Sequence, residues 1–153
     1  MSVQDETETA VPRLAAAPIA DDIGLLLAKL HAVGSPLNNR TLAEFGLRER
    51  SYSVLRLACS GMEPTQRELA DFLSLDPSQI VALVDELETR GLVEREQGRT
   101  DRRQKIVLAT RDGERLHTRA EAAVKVSEAS LLSSLTAEEA RTLRRLLRKA
   151  LWG

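Results

Sequence analysis

Residues Thr65–Thr110 read TQRELADFLSLDPSQIVALVDELETRGLVEREQGRTDRRQKIVLAT, the pattern of two short helices followed by a hairpin with a basic tip. Thr65 is placed to cap the first helix, with Glu68 three residues on as the reciprocal partner of a capping box. Leu69, Ala70, Phe72 and Leu73 give that helix an apolar side. After a break at Ser74-Leu75 a second helix starts at Asp76-Pro77-Ser78-Gln79: Asp is an N-cap, and Pro fills a first position that needs no N–H donor. Ile80, Leu83, Val84 and Leu87 fall at i, i+3, i+4 and i+7 and form one buried stripe, which turns Ser78, Gln79, Ala82, Asp85 and Glu86 outward. Arg90 suits the last turn of this helix, and Gly91 is placed to end it in the left-handed conformation.

Beyond Gly91, Leu92–Arg95 and Lys105–Leu108 are rich in aliphatic and β-branched residues, and a polar turn-forming segment from Gln97 to Arg103 separates them. Two helices joined by a tight turn and followed by a basic hairpin make a winged helix-turn-helix. In that arrangement the second helix enters the DNA major groove and the arginines of the wing reach an adjacent minor groove. The fold class expected is therefore mainly α with a small β-hairpin wing, an α+β winged helix-turn-helix with flanking dimerisation helices.

The same residues resemble the MarR (multiple antibiotic resistance regulator) family of bacterial transcription factors. The likeness is carried by Glu68-Leu69-Ala70, by Gln79–Leu87, by the helix exit Arg90-Gly91-Leu92-Val93-Glu94-Arg95, and above all by Asp101-Arg102-Arg103 followed by Val107–Gly113. The resemblance implies that Arg103 enters the minor groove while Asp101 orients it, and that Arg99 and Arg102 contact phosphate or sugar. A pairing of Asp101 with Arg95 inside the hairpin is the alternative. The resemblance also implies a homodimer, a double-stranded DNA partner, and a small aromatic effector held between the dimer helices and the wing domain. The effector candidates are His31, Tyr52, Arg56 and Trp152, polar-aromatic or cationic residues on the bordering helices.

Length and composition narrow the alternatives. At 153 residues, with 42% hydrophobic residues, the chain suits one domain with a tail, without room for a separate catalytic domain. No apolar run approaches a membrane span, and the acidic MSVQDETETA lacks the features of a secretory signal, so a cytoplasmic protein is expected. The net charge of −1 argues against indiscriminate coating of DNA. Charge placement argues for a local contact: Arg95, Arg99, Arg102, Arg103 and Lys105 outnumber Glu96 and Asp101 on the wing.

The flanks supply the rest. Residues 1–18 are acidic and then Ala- and Pro-containing, and are expected to be a disordered arm. Residues 19–153 form the domain, with dimerisation helices over about 19–46 and 111–152 and a DNA-binding unit over about 47–110. A helix is expected from Ala20, with Gly34-Ser35-Pro36 either kinking it or dividing it in two. Met62-Glu63-Pro64 is expected as a small third strand. Thr110 and Thr136 cap the last two helices, and Leu143, Leu146, Leu147 and Leu151 line the final one. The leucine stripes of the terminal helices exceed what this domain buries alone, so a two-fold dimer is expected. Such a dimer spaces its reading helices about 34 Å apart and matches a pseudo-palindromic operator.

On the reading helix, Gln79 suits adenine, Ser78 suits base or phosphate, and the small Ala82 suits a thymine methyl. That helix carries no cation at Val81-Ala82, and Asp85 and Glu86 add negative charge, which shifts the expected weight of binding onto the wing and the DNA backbone. Ser51, Ser53, Gln66 and Arg67, near helix starts, are further phosphate candidates. The lone Cys59 reads as structural, and His31 and His117 have no metal-ligand spacing. No nucleophile elbow, phosphate loop or paired carboxylate points to an enzyme, and no cofactor is expected. The competing reading is a winged-helix module for protein–protein interaction with weak or lost DNA binding.

Overall fold

Helix starts in this protein are set by side chains that accept the free N–H groups of the first turn. In the computed structural model, which describes residues 11–153, the helices are α1 (Ile23–Ala43), α2 (Glu49–Ala58), α3 (Gln66–Leu73), α4 (Pro77–Thr89), α5 (Arg111–Leu131) and α6 (Ala137–Trp152). Strands β1 (Val93–Gln97) and β2 (Lys105–Ala109) lie between α4 and α5. Thr65, Thr110 and Thr136 accept from the N–H groups of Glu68, Gly113 and Glu139 at 3.1, 3.1 and 3.2 Å. Glu68 and Glu139 return the contact to the N–H groups of Thr65 and Thr136, closing the two capping boxes that the sequence predicts.

The chain divides into two compact units, Met1–Val33 and Gly34–Gly153, with the boundary inside α1. Of the arm expected to be disordered, residues 1–10 lie outside the described residues. Residues Arg13–Ala16 form a 3-10 turn inside the arm expected to be disordered, and Pro18–Asp21 form a second one across the arm's end and the expected helix start. They are closed by local bonds such as Ala15 N–H to the Pro12 carbonyl at 2.8 Å, and none of their residues is buried. These turns displace the helix start from Ala20 to Ile23, where the Asp22 carboxylate accepts the Leu25 N–H. Ile23 and Leu26 are 74% and 50% exposed.

In the second unit α1 continues through Pro36 to Ala43 as one helix rather than two. An interior proline removes a helix bond and costs about 3 kcal/mol. Here the neighbouring polar residues offset it. Ser35 and Asn38 donate to the Glu49 carboxylate at 2.5 and 3.1 Å, Asn39 accepts the Glu49 N–H, and Ser127 of α5 donates to Asn38. Gly34 permits the approach of α5, since a Cβ there would lie 2.8 Å from a Leu131 methyl.

The core joins Leu42, Val54, Leu55, Leu69, Ile80, Val84, Leu87 and Val107, all essentially solvent-free. Each large aliphatic side chain so buried contributes about 1.5–3 kcal/mol. Three of the four residues of the α4 stripe are among them, with Leu83 half-buried. Arg90 at the end of α4 donates to the carbonyls of Gly46 and Phe45 at 2.6 and 3.0 Å, so it fixes the α1–α2 turn as well as facing the helix dipole. Gly91 has φ +69° and ends the helix as its sequence position predicts.

Strands β1 and β2 pair antiparallel from Val93↔Ala109 to Gln97↔Lys105. The third strand expected at Met62–Pro64 is not formed. Only a single bridge joins Thr65 to Ile106, with the Val107 N–H donating to the Pro64 carbonyl at 2.8 Å. Proline has no N–H to extend the ladder, and Glu63 turns away at φ +51°. The α6 stripe stays partly open, with Leu146 and Leu151 49% and 68% exposed.

Candidate nucleic-acid interface and effector cavity

Burying Ile80, Val84 and Leu87 leaves the opposite face of α4 to solvent, and Ser78, Gln79 and Ala82 are all exposed there as predicted. Gln79 also holds the helix start, its side-chain oxygen accepting the Asp76 N–H at 3.2 Å, which leaves its amide N–H groups free. Val81 lies on the same face, 40% exposed. It is absent from the sequence-based set, although an aliphatic residue off the apolar stripe was the signal that could have found it.

The wing loop is closed on itself. Gly98 N–H donates to the Gln104 carbonyl at 2.8 Å and Gln104 N–H to the Asp101 carbonyl at 3.1 Å. A Cβ on Gly98 would sit 2.7 Å from the Asp101 carbonyl oxygen, so the tight crossing requires glycine. The Asp101 carboxylate accepts the Arg103 N–H at 2.9 Å and fixes the backbone from which Arg103 projects. Arg102, Arg103 and Lys105 are exposed and have no carboxylate within salt-bridge distance among the described residues. Arg99 is exposed but pairs with Glu63 at 3.1 Å.

Arg95 is not a wing contact, and it does not pair with Asp101. Its side chain is 14% exposed and bonds Asp85 at 2.6 Å, Glu88 at 2.5 Å and the Gln66 side-chain oxygen at 2.6 Å. It thereby ties the base of the wing to both α3 and α4. Arg95 is shared between Asp85 and Glu88, one cation against two carboxylates, and Glu86 stands exposed beside them, so this side of the reading helix stays acidic. The weight of DNA binding therefore stays on the wing and the DNA backbone, as the sequence predicts.

The remaining phosphate candidates separate. Arg67 is 92% exposed with one distant Asp71 contact at 4.0 Å. Gln66 keeps its amide N–H groups free while its oxygen holds Arg95. Ser51 is a correction: it is 2% exposed, and its hydroxyl accepts the Arg48 N–H and contacts the Arg48 carbonyl as part of the α2 cap. No phosphate can reach it. Ser53 is half-buried and donates to the Glu49 carbonyl at 2.8 Å.

Between α2, α5 and α6 lies a cavity of about 740 Å³ whose lining includes Tyr52, Arg56, Glu121, Lys125, Arg141 and Arg144. Its size falls within the range of about 300–1,000 Å³ typical of sites for drug-sized ligands. The structure brings together Tyr52 and Arg56 of the four effector candidates. Trp152 lines a different cavity, and His31 is exposed on α1 in the first unit. His117, which sequence reasoning left without a role, stacks on Tyr52 with ring centroids 6.1 Å apart. The Tyr52 hydroxyl and His117 Nε2 are both buried and unpartnered among the described residues. Such atoms cost about 1–3 kcal/mol each unless something pairs with them.

Burial holds the His117 imidazole below its ordinary pKa, with Glu121 opposing and Arg56 adding to the depression. The folded state therefore binds fewer protons than the unfolded one in this range, and stability falls as pH drops below about 6.5. A His117→Phe variant is expected to lose that component of the pH dependence of thermal unfolding. An unchanged pH profile would remove His117 from this account. Burial likewise raises Tyr52, keeping its hydroxyl neutral and able to donate.

Burial, with the Glu114 charge adding to it, pushes the Cys59 thiol up to about 11. Thiolate is then scarce at neutral pH. Peroxide treatment is expected to leave DNA affinity unchanged, and a peroxide-dependent release abolished by Cys59→Ser would contradict this.

Comparison with known proteins places these features in a group. A sequence model described as "MarR family" matches residues 46–104. The HTH-type transcriptional repressor Rv2887 of Mycobacterium tuberculosis H37Rv is 32% identical over 133 residues, covering 86% of this chain and 96% of the repressor. A crystal structure of a MarR family transcriptional regulator from Rhodococcus sp. RHA1 aligns with TM-score 0.84 at 39% identity, covering 90% of this chain and 97% of that one. CouR from Rhodococcus jostii RHA1, crystallised with p-coumaroyl-CoA, aligns with TM-score 0.80 at 40% identity over 90% of this chain and 96% of its own. Rv2887 itself has been crystallised with DNA and with salicylic acid.

Proposed function

The chain belongs to the MarR family and is a DNA-binding transcriptional regulator, and we propose that it acts as a homodimer on a pseudo-palindromic operator, as a repressor that a small aromatic effector releases. The observation that carries the DNA reading is the set of unpaired wing cations, Arg102, Arg103 and Lys105, beside an exposed α4 face. Ser78, Gln79, Val81 and Ala82 read base edges. Arg103 enters the minor groove from a backbone fixed by Asp101, and Arg99, Arg102, Lys105, Gln66 and Arg67 contact phosphate or sugar. Ser53 is a weaker candidate because its proton is already donated into α2.

In this reading residues 47–110 are the DNA-binding unit, and the exposed apolar stripes of the terminal helices, about 19–46 and 111–152, meet those of a second copy. Among the described residues no helix is long and apolar enough to cross a membrane. We place the protein in the cytoplasm, on the nucleoid when bound, with a non-enzymatic role. The effector site is the Tyr52 cavity, where the buried Tyr52 hydroxyl awaits a polar partner and Arg56 supplies a cation for an acid. CouR and Rv2887, with p-coumaroyl-CoA and salicylic acid, set the two kinds of aromatic ligand to be weighed.

The test is fluorescence anisotropy of the protein against the promoter fragment of its own gene and a scrambled duplex, across a salt series. Binding selective for the promoter, with log affinity falling linearly in log salt, is the expected result. Equal weak binding to both duplexes would favour a protein-binding winged-helix module instead.

A further inference from the structure

We infer that α4 selects its half-site through the 5-methyl group of thymine, with Val81 as the specificity-determining residue beside Ala82. The inference rests on the DNA reading above and names the chemical feature that this face recognises.

The polar groups of the face cannot make the choice. Helix α4 carries no lysine or arginine. The two arginines that follow it are engaged within the protein, Arg90 by the carbonyls of Gly46 and Phe45, and Arg95 by Asp85, Glu88 and Gln66. The bidentate cation that singles out guanine is therefore missing here. Gln79 turns its side-chain oxygen to the Asp76 N–H and so meets the bases as a donor. A donor pairs with N7 of either purine, with O6 of guanine and with O4 of thymine. Ser78 donates or accepts and can bond any base. Hydrogen bonding from the first turns of α4 thus separates the bases poorly.

Apolar contact remains. The thymine methyl is the one methyl group that the four bases place in the major groove. Val81 is 40% exposed on the side of α4 that the core leaves open. A single exposed aliphatic residue needs no explanation on most helices. This one stands in the N-terminal half of a reading helix, the part that meets base edges. Valine is a poorer helix former than alanine, so helix stability does not account for it. Its β-branched side chain holds one preferred rotamer in a helix, and the two methyl groups are presented with little freedom left to lose. Ser78 and Ala82 beside it are small, which lets the helix lie close enough to the groove floor for methyl groups to touch. The wing cations then supply affinity, and Val81 supplies the choice of base.

The test begins with selection of duplexes from a random pool by the full-length protein, which defines the half-site. Each thymine is then replaced by deoxyuridine, which removes the methyl group and keeps every hydrogen-bonding group. At one thymine the replacement is expected to weaken binding about fourfold in one half-site and about fifteenfold in both. Against the Val81→Ala variant this penalty should vanish, the variant binding the thymine duplex about as weakly as the deoxyuridine one. Val81→Thr, which keeps the shape and one methyl group, should retain part of the penalty. With a cytosine–guanine pair at that position affinity should fall, and 5-methylation of the cytosine should recover about threefold of it. The salt slope should match the parent's in both variants, because neither loses a phosphate contact. Alanine is the better helix former and position 81 is exposed, so Val81→Ala keeps the fold, which its thermal unfolding checks. No thymine with a methyl-dependent penalty, a penalty that Val81→Ala leaves intact, or a half-site chosen by guanine or cytosine alone overturns the inference. A pool from which no sequence is enriched would sink the operator reading beneath it, and this inference with it.

Discussion

Gly113→Ala is expected to destabilise the protein by about 2–4 kcal/mol, measured by urea unfolding, despite adding only one methyl group. A Cβ at Gly113 would overlap the Leu92 carbonyl oxygen and lie 3.3 Å from a Leu55 methyl. The carbonyl cannot simply withdraw, because it accepts the Thr110 N–H at 3.1 Å. Thr110 in turn donates its hydroxyl to the Gly91 carbonyl and accepts the Gly113 N–H, joining the exit of α4 to the entry of α5. The methyl group therefore pries apart the junction that holds wing and long helix to the core. Gly61→Ala is the control: nothing lies within 4 Å of its Cβ, so only its φ of +75° opposes the change, for about 1 kcal/mol. Equal stability of the Gly113→Ala variant and the parent would show that the Leu92 strand entry yields freely.

Arg103→Ala is expected to abolish measurable operator binding while leaving the dimer intact. A well-placed arginine contributes about 1–3 kcal/mol of binding, and a two-fold dimer loses two, so affinity should fall by about 2–6 kcal/mol. The salt slope should flatten by about two. Arg103 is exposed and bonded only through its backbone N–H to Asp101, so its removal breaks no internal side-chain contact. Asp101→Ala should weaken binding less, by freeing the loop rather than deleting the cation. Sedimentation of the Arg103→Ala variant should match the parent. Unchanged affinity would remove Arg103 from the interface and leave the α4 face and Arg102 to account for binding.

Arg95 shows how far linear charge reading can mislead. In sequence it belongs to a run of wing cations, and its neighbours Glu94 and Glu96 say nothing of its partners. Its actual partners, Asp85, Glu88 and Gln66, lie on two other helices, 7 to 29 positions away. Ser51 fails similarly, because a serine at a helix start faces solvent or caps its own helix according to how the preceding turn enters. His117 is hidden from sequence reading for the converse reason, since its stacking on Tyr52 depends on helices brought together only by folding, whereas Val81 is legible as an aliphatic residue off the α4 stripe.

What the sequence determined by itself was everything governed by local period and local hydrogen bonding. The capping boxes at Thr65 and Thr136, the α4 stripe from Ile80 to Leu87 and the left-handed Gly91 depend on residues within a few positions of one another, and the β1–β2 hairpin on pairs 8 to 16 positions apart across one turn. Tertiary structure alone decided three things: that Arg95 is a strut and not a wing contact, that Tyr52, Arg56 and Arg144 share a cavity, and that Gly113 must be glycine. Each depends on distances between elements remote in the chain, where packing sets which charge is neutralised, which polar atom is left without a partner and where no further atom fits.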